Sequence, residues 1–195
     1  MNVINLTGII RNIRPSHSVG NTQYNRAEII TKRQNGIEDV VDIKFKHLTN
    51  PFKDGDNVSI LGNIRSFSTK IDENKNKVDI YVSTYFDPGI TDYSNTASID
   101  GRICKIDGLY ITKTHKHVLH FVIANNIEVN GKKLNSYIPC VAWGLLGKSM
   151  STLKVNQKIA LTGELHSREF KKKTDDNVTI NIAHEFFVTN YELID

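Results

Sequence analysis

Hydrophobic residues alternate with polar or small residues along most of this 195-residue chain. A period of two places every second side chain on the same face, which is typical of β-strands with one buried face. Turn-forming dipeptides of the Asn-Gly type separate several of these segments. The pattern therefore predicts an all-β protein. The clearest alternating segments are Ile4–Ile10, Val58–Gly62, Val78–Val82, Ile99–Ile103, Ile159–Gly163 and Val178–Ile182.

One alternating phrase occurs twice in the sequence. Val58–Ser66 reads VSILGNIRS and Ile159–Ser167 reads IALTGELHS, with Gly62 and Gly163 at the same place in each copy. A glycine inside a strand indicates a sharp bend or a close approach of another backbone. The repetition indicates one structural unit that is used twice.

Two stretches, residues 47–52 and 145–153, predict short helices, and each lies just before the glycine strand of its unit. Each unit then has five strands, a short helix between strands three and four, and a long charged hairpin between strands four and five. This order matches the OB-fold, a small five-stranded Greek-key barrel, while an SH3-like barrel and a β-sandwich are the alternatives. We therefore predict two tandem OB-fold barrels, residues 1–88 and 95–195, joined by a linker at residues 89–94.

Composition narrows this picture only slightly. The chain is 39% hydrophobic and 24% charged, with a net charge of +4 and a sequence pI near 9.0, which fits a nucleic-acid binder or an ordinary globular protein. Cys104 and Cys140 have no zinc-ligand spacing and indicate buried free thiols in a reducing compartment. Met1–Asn5 does not read as a signal peptide, and no apolar run reaches membrane-spanning length. We expect a cytoplasmic protein.

Aromatic and basic residues of the second unit have a distinctive order. Tyr137 opens a strand that ends in the pair Trp143 and Gly144, and Arg168 and Phe170 follow the second glycine strand. In this order the second unit resembles the bacterial and phage single-stranded DNA-binding protein family. The resemblance covers most of the second half of the chain and reaches the first half mainly through the repeated phrase.

The resemblance implies a surface for single-stranded DNA on the second unit. Exposed bases stack on aromatic rings, and lysine and arginine side chains follow the phosphates between them. Two alternatives stay open, because Trp143 could belong to the core edge and the lysine run could be a solvated hairpin tip. The DNA-binding candidates in this unit are Tyr137, Trp143, Arg168, Phe170, Lys171, Lys172 and Lys173.

The first unit departs further from the family pattern. Phe45 aligns with Trp143, but Lys46 replaces the glycine that follows, and Phe67 is the nearest substitute for Phe170. We therefore expect the second barrel to lead in DNA contact and the first to serve assembly or auxiliary contact. The candidates in the first unit are Lys44, Phe45, Arg65, Phe67 and Lys70.

These observations predict a protein that coats and protects single-stranded DNA during replication or recombination, largely without sequence preference. The resemblance also implies a homodimer with four barrels and replication proteins as further partners, with RNA as a second nucleic-acid ligand to test. A protein-docking adaptor of a primosome is the alternative function. A nuclease would need a metal site, but Glu38, Asp39 and Asp42 read as a charged turn. We expect no enzyme activity, no cofactor and no bound metal.

Overall fold

The computed structural model describes residues 1–47, 52–72, 75–86, 94–129, 132–174 and 177–194. Within these ranges the chain is almost entirely β-structure, as the alternation predicts. The first five strands are β1 (Asn2–Val19), β2 (Thr22–Lys32), β3 (Glu38–Lys46), β4 (Asn57–Asp72) and β5 (Lys75–Phe86). The others are β6 (Asn95–Ile111), β7 (His117–Val129), β8 (Lys132–Trp143), β9 (Lys158–Thr174) and β10 (Asn177–Ile194), with the helix α1 (Gly144–Met150) after β8.

The strands close into two five-stranded barrels. In the first, the order β2-β3-β5-β4-β1 closes through a β1–β2 pairing, and in the second β7-β8-β10-β9-β6 closes through β6–β7. All ladders are antiparallel except β3–β5 and β8–β10, which are parallel. This is the predicted OB-fold architecture, present twice. Helix α1 confirms the predicted helix of the second unit, whereas most of its counterpart, residues 47–52, lies outside the described residues.

The interior of each barrel is built from one phase of the alternating pattern. Ile4, Leu6, Ile60 and Ile64 are fully buried in the first barrel, and Phe186 is the largest fully buried side chain of the second. Burial of such side chains is the main favourable contribution to folding. The residues of the opposite phase point outward, where they are available for a ligand. Of the two thiols, only that of Cys140 is buried as expected, because Cys104 sits at an irregularity of the β6–β7 ladder and is exposed.

The two repeated glycines are places of close backbone approach. A side chain at Gly163 would overlap the carbonyl oxygen of Phe187, and a Cβ at Gly62 would lie 2.7 Å from the carbonyl oxygen of Ser83. Only glycine leaves room for these contacts. Of the two possibilities predicted at each glycine, a sharp bend or a close backbone approach, the structure shows the close approach of a neighbouring strand.

The two barrels are joined by strand pairing, and their contacts are related by an approximate twofold symmetry. β1 pairs with β6 in antiparallel register, so that Asn2 lies opposite Ile99 and Leu6 lies opposite Asn95. Asn2 donates to the carbonyl oxygen of Ile64 (2.7 Å) and accepts from its N–H (2.8 Å). Asn95 does the same with Leu165, at 3.0 and 3.1 Å. Asn2 and Asn95 thus form the same pair of backbone hydrogen bonds, Asn2 to β4 and Asn95 to β9.

The serine that ends each repeated phrase connects the barrels. The backbone N–H of Tyr137 donates to the hydroxyl of Ser66 (2.7 Å), and that of Val40 donates to the hydroxyl of Ser167 (2.9 Å). Each serine therefore holds the third strand of the other barrel, near the start of β3 at Val40 and in the middle of β8 at Tyr137. The expectation that Tyr137 opens its strand is wrong, because β8 begins five residues earlier, at Lys132. The predicted linker lies outside the described residues except for Ser94, whose hydroxyl donates to the carbonyl oxygen of Asn5 (3.2 Å).

Counterparts in the two barrels follow from the strand register. In the parallel ladders, Ile43 pairs with Val82 and Cys140 pairs with Phe186. On their other side, Val82 and Phe186 each pair with the residue two positions after the repeated glycine of their barrel. Ile43 and Cys140 therefore occupy the same place in their barrels. Positions three residues further along β3 and β8 also match.

This register corrects the alignment made from the sequence. The counterpart of Trp143 is Lys46, and Phe45 corresponds to Ala142. The expected equivalence of Phe45 and Trp143 is thus wrong by one residue. In a strand, a shift of one residue exchanges the two faces.

Candidate nucleic-acid interface

A groove runs along the outer face of the second barrel. It comprises a cavity of about 560 Å³ lined by Trp143 and one of about 720 Å³ lined by Phe170. Arg168 and Glu185 line both cavities, so the two lie next to each other. Three of the residues predicted from the sequence therefore lie along one surface.

Trp143 stands at one end of this groove. It is the last residue of β8 and precedes Gly144, whose φ of +63° turns the chain into α1. Trp143 is 40% exposed. The imidazole of His166, which lines the same cavity, stacks on the ring of Phe187 with centroids 4.6 Å apart. At this end of the groove the exposed ring of Trp143 is available to a base, whereas His166 is buried.

Arg168 lies at the centre of the groove. Its side chain is exposed, and its Nε is 3.9 Å from Oε2 of Glu185. An ion pair this long and exposed contributes little to stability. The guanidinium is therefore available to a phosphate.

Phe170 lines the other end of the groove together with residues that the sequence reasoning did not select. Tyr110 and His120 are edge-to-face at 6.2 Å, and both line the same cavity as Phe170. The backbones of Lys171, Lys172 and Lys173 continue β9 and pair with β10. Their side chains lie outside the described residues, so the predicted basic flap stays a prediction.

The β2–β3 hairpin of the first barrel borders the Trp143 end of the groove. The carboxylate of Asp39 is completely buried and accepts two hydrogen bonds of 2.7 Å from Arg33. It also accepts the backbone N–H of Ser167 at 2.6 Å, and Arg33 donates to the carbonyl oxygen of Ser167 at 3.2 Å. His184 donates to the carbonyl oxygen of Val40 at 2.7 Å, which adds a second contact between this hairpin and β10.

This network sets the charge of Asp39. Burial raises its pKa, but the hydrogen bonds from Arg33 and from the N–H of Ser167 outweigh burial and hold the pKa below its usual value. The carboxylate stays ionised between the barrels and fixes the strand just before Arg168. The groove is thus a composite of both barrels.

Tyr137 lies apart from this groove. It is 47% exposed at the junction beside Ser66, and it lines neither of the two cavities. Tyr137 is therefore placed to extend the surface toward the first barrel.

The first barrel carries its own aromatic and basic cluster. The amine of Lys44 lies 4.0 Å from the ring centroid of Tyr81 and 4.9 Å from that of Phe67. Burial lowers the pKa of Lys44, and the neighbouring charge of Arg26 adds to this effect. Phe67 is exposed, as the prediction required.

Three other candidates of the first barrel lie differently. Phe45 is 5% exposed and packs edge-to-face on Phe86 at 5.1 Å, so its ring belongs to the core. Arg65 is only 9% exposed, which removes it from the open face. Lys70 is exposed near the end of β4, three residues after Phe67.

The strand phase could have identified Tyr81. Ile80 and Val82 are buried, so the residue between them must point outward. An aromatic residue at an outward-facing position of a strand could have been recognised from the alternating pattern alone. Tyr110 offered no such signal, because the end of β6 lies beyond two irregularities of its ladder with β7.

The described residues contain no group of three or more His, Cys, Asp or Glu residues that could hold a metal ion. None of the helices in the described part of the chain has the length and apolar character needed to cross a membrane.

Two closed barrels and a groove with aromatic rings around a central arginine define an oligonucleotide-binding OB-fold protein. The sequence model of the single-strand binding protein family matches residues 94–190, the second barrel. Through this barrel the chain belongs to that family, and it binds single-stranded DNA.

Solved structures show the same architecture over the whole chain. The wild-type single-stranded DNA-binding protein from Thermus aquaticus superposes with a TM-score of 0.76 at 13% sequence identity, covering 100% of this chain and 93% of that one. A deletion mutant of the same Thermus aquaticus protein gives a TM-score of 0.75 at 14% identity, covering 100% and 94%. At these identities the likeness concerns the fold. No curated protein sequence matches the chain.

Proposed function

We propose that this protein coats single-stranded DNA through the composite groove of the second barrel. The observation that carries the proposal is that the two cavities share Arg168, so that Trp143, Arg168 and Phe170 follow one path. Bases stack on the two rings at the ends, and Arg168 neutralises a phosphate between them. Each stacked base contributes about 1–3 kcal/mol, and stacking accepts any base, so binding is largely independent of sequence.

The cluster around Lys44 extends this surface on the first barrel. Phe67 and Tyr81 supply rings and Lys44 supplies a cation, while Tyr137 lies at the junction. Both units, residues 1–88 and 95–195, then contact one DNA strand. The second barrel has the longer aromatic path and remains the main binding unit.

Membership of the family supports a proposal for the cellular role and the assembly. Coating protects exposed strands during replication and recombination in the cytoplasm, and it brings the protein next to replication proteins. The resemblance supports a homodimer that presents four barrels with closed twofold symmetry. Light scattering after size-exclusion chromatography tests this state: twice the mass of one chain supports it and the mass of a single chain overturns it.

A titration with a fluorescent oligothymidine at several salt concentrations tests the binding surface. The logarithm of the affinity should fall linearly with the logarithm of the salt concentration, because binding releases counterions from the phosphates. W143A and F170A should weaken binding at every salt concentration without changing the slope. R168A should reduce the slope by about one.

Arg102 offers a matched control for Arg168. It is an exposed arginine of the same barrel, outside both cavities, and it donates to the carbonyl oxygen of Asn156 at 3.0 Å. R102A should bind like the unaltered protein. Equal losses in R102A and R168A would mean that general charge, and not the groove, determines binding.

A further inference from the structure

Lys44 combines an outward position with partial burial. Its amine is half-buried against the rings of Tyr81 and Phe67, at 4.0 and 4.9 Å from their centroids. The acid nearest to it on β3 is Asp42, which already accepts a hydrogen bond of 2.6 Å from Arg26. The amine therefore has an apolar surrounding and a neighbour whose charge is already paired.

Burial, together with the charge of Arg26, also lowers the pKa of Lys44. A larger fraction of this amine is then neutral near neutral pH than for a fully solvated lysine. The neutral amine is the nucleophilic form, and desolvation in apolar surroundings is a common way to activate a lysine.

A cavity of about 440 Å³ is lined in part by Lys44. Its walls include Tyr24, Ser83 and Thr84, and its described lining contains no carboxylate. The volume accommodates a sugar and its phosphate, and the hydroxyl groups of Tyr24 and Ser83 can hydrogen-bond to them, whereas that of Thr84 already donates to the carbonyl oxygen of Leu61. The lining lysines, Lys44 and Lys46, favour a phosphate at this place.

We infer that Lys44 captures abasic sites in single-stranded DNA as a covalent Schiff base. The inference rests on the proposed function, since the strand must first lie on this face. A nucleotide that has lost its base has no ring to stack on an aromatic side chain, and its sugar opens to an aldehyde at C1′. This aldehyde then replaces the base beside the amine.

The chemistry is an addition followed by loss of water. The lone pair of the Lys44 nitrogen attacks C1′ and forms a C–N bond, while the carbonyl oxygen takes up a proton and becomes a hydroxyl. The carbinolamine expels this hydroxyl with a further proton as water, and the nitrogen lone pair forms the C=N bond. No oxidant or reductant takes part, and hydrolysis reverses the step. Intact nucleotides do not react, because a base occupies C1′.

Reductive trapping tests the inference on the full chain. A labelled oligothymidine with one central abasic site is incubated with the protein and sodium cyanoborohydride, which reduces the C=N bond to a stable amine. Denaturing gels then measure the covalent product. The unaltered protein should form it, K44R should lose most of it, and the intact oligothymidine should give none.

K46R is the matched control, because Lys46 lines the same cavity but is exposed. It should retain the covalent product. Equal product from K44R and the unaltered protein would overturn the inference, as would an equal loss in K46R. Anisotropy with the intact oligothymidine separates the two proposals: binding without a covalent product overturns only the role of Lys44, whereas absence of binding overturns the proposed function.

Discussion

The backbone N–H of Val40 in the first barrel donates to the hydroxyl of Ser167 in the second at 2.9 Å. The mirror contact runs from Tyr137 to Ser66 at 2.7 Å. Both serines are the last residue of the repeated phrase, so one sequence feature serves the fold twice. Among the residues that the structure describes, only the first of these junctions also contains a buried carboxylate, that of Asp39.

Asp39 should dominate the stability of this junction. D39N removes the charge that pairs with Arg33 and weakens the hydrogen bonds to Arg33 and Ser167. We expect a loss of about 1.5–3 kcal/mol in the free energy of unfolding, the usual range for hydrogen bonds to charged groups. Urea unfolding near neutral pH measures it. D42N is the control, since Asp42 forms a partly exposed ion pair with Arg26 and should cost less than about 1 kcal/mol.

The contribution of Asp39 should disappear in acid. Because its folded pKa lies below its unfolded value, the stabilisation is complete above the unfolded pKa and is lost as the pH falls through the folded pKa. The difference between the unaltered protein and D39N should therefore be largest near neutral pH and shrink toward about pH 3. A difference that stays constant over this range would show that Asp39 does not stabilise the fold as a carboxylate.

Gly163 should tolerate no side chain. In G163A the new Cβ would overlap the carbonyl oxygen of Phe187, and β9 and β10 would have to separate. Overpacking of this kind costs about 1–3 kcal/mol in the free energy of unfolding. T162A, at the exposed neighbouring residue, should stay within about 0.5 kcal/mol of the unaltered protein. Thermal unfolding compares the two variants, and equal melting temperatures would contradict the close approach.

The salt dependence of binding should distinguish aromatic contacts to bases from basic contacts to phosphates. F170A removes a stacking surface that does not depend on ionic strength, whereas R168A removes one phosphate contact. We expect F170A to lose about 1–3 kcal/mol of binding free energy at each salt concentration. A changed slope in F170A, or an unchanged one in R168A, would contradict these assignments.

The sequence predicted the repeat, the strand pattern and the helix α1, because all three are local or periodic. It also selected Trp143, Arg168 and Phe170, which line the two neighbouring cavities in the folded chain; their contact with DNA stays a prediction. The junction was not predictable, since Asp39 and Ser167 are 128 residues apart in the chain. A buried carboxylate at a domain junction looks in the sequence like any charged turn.

The error at Phe45 has a simple physical cause. Alternation gives the two faces of a strand but not the register between distant strands, and a slip of one residue exchanges the faces. Aligning Phe45 with Trp143 therefore moved a core ring to the surface. The parallel β3–β5 and β8–β10 ladders, which join residues far apart in the sequence, determine the true register.

Trp143 is the single tryptophan of the chain, so its fluorescence reports on the groove directly. Titration with unlabelled oligothymidine should quench this fluorescence to a plateau, and the midpoint should move to higher DNA concentration as salt is added. Fluorescence that stays constant while anisotropy shows the DNA to be bound would contradict a binding path through this groove.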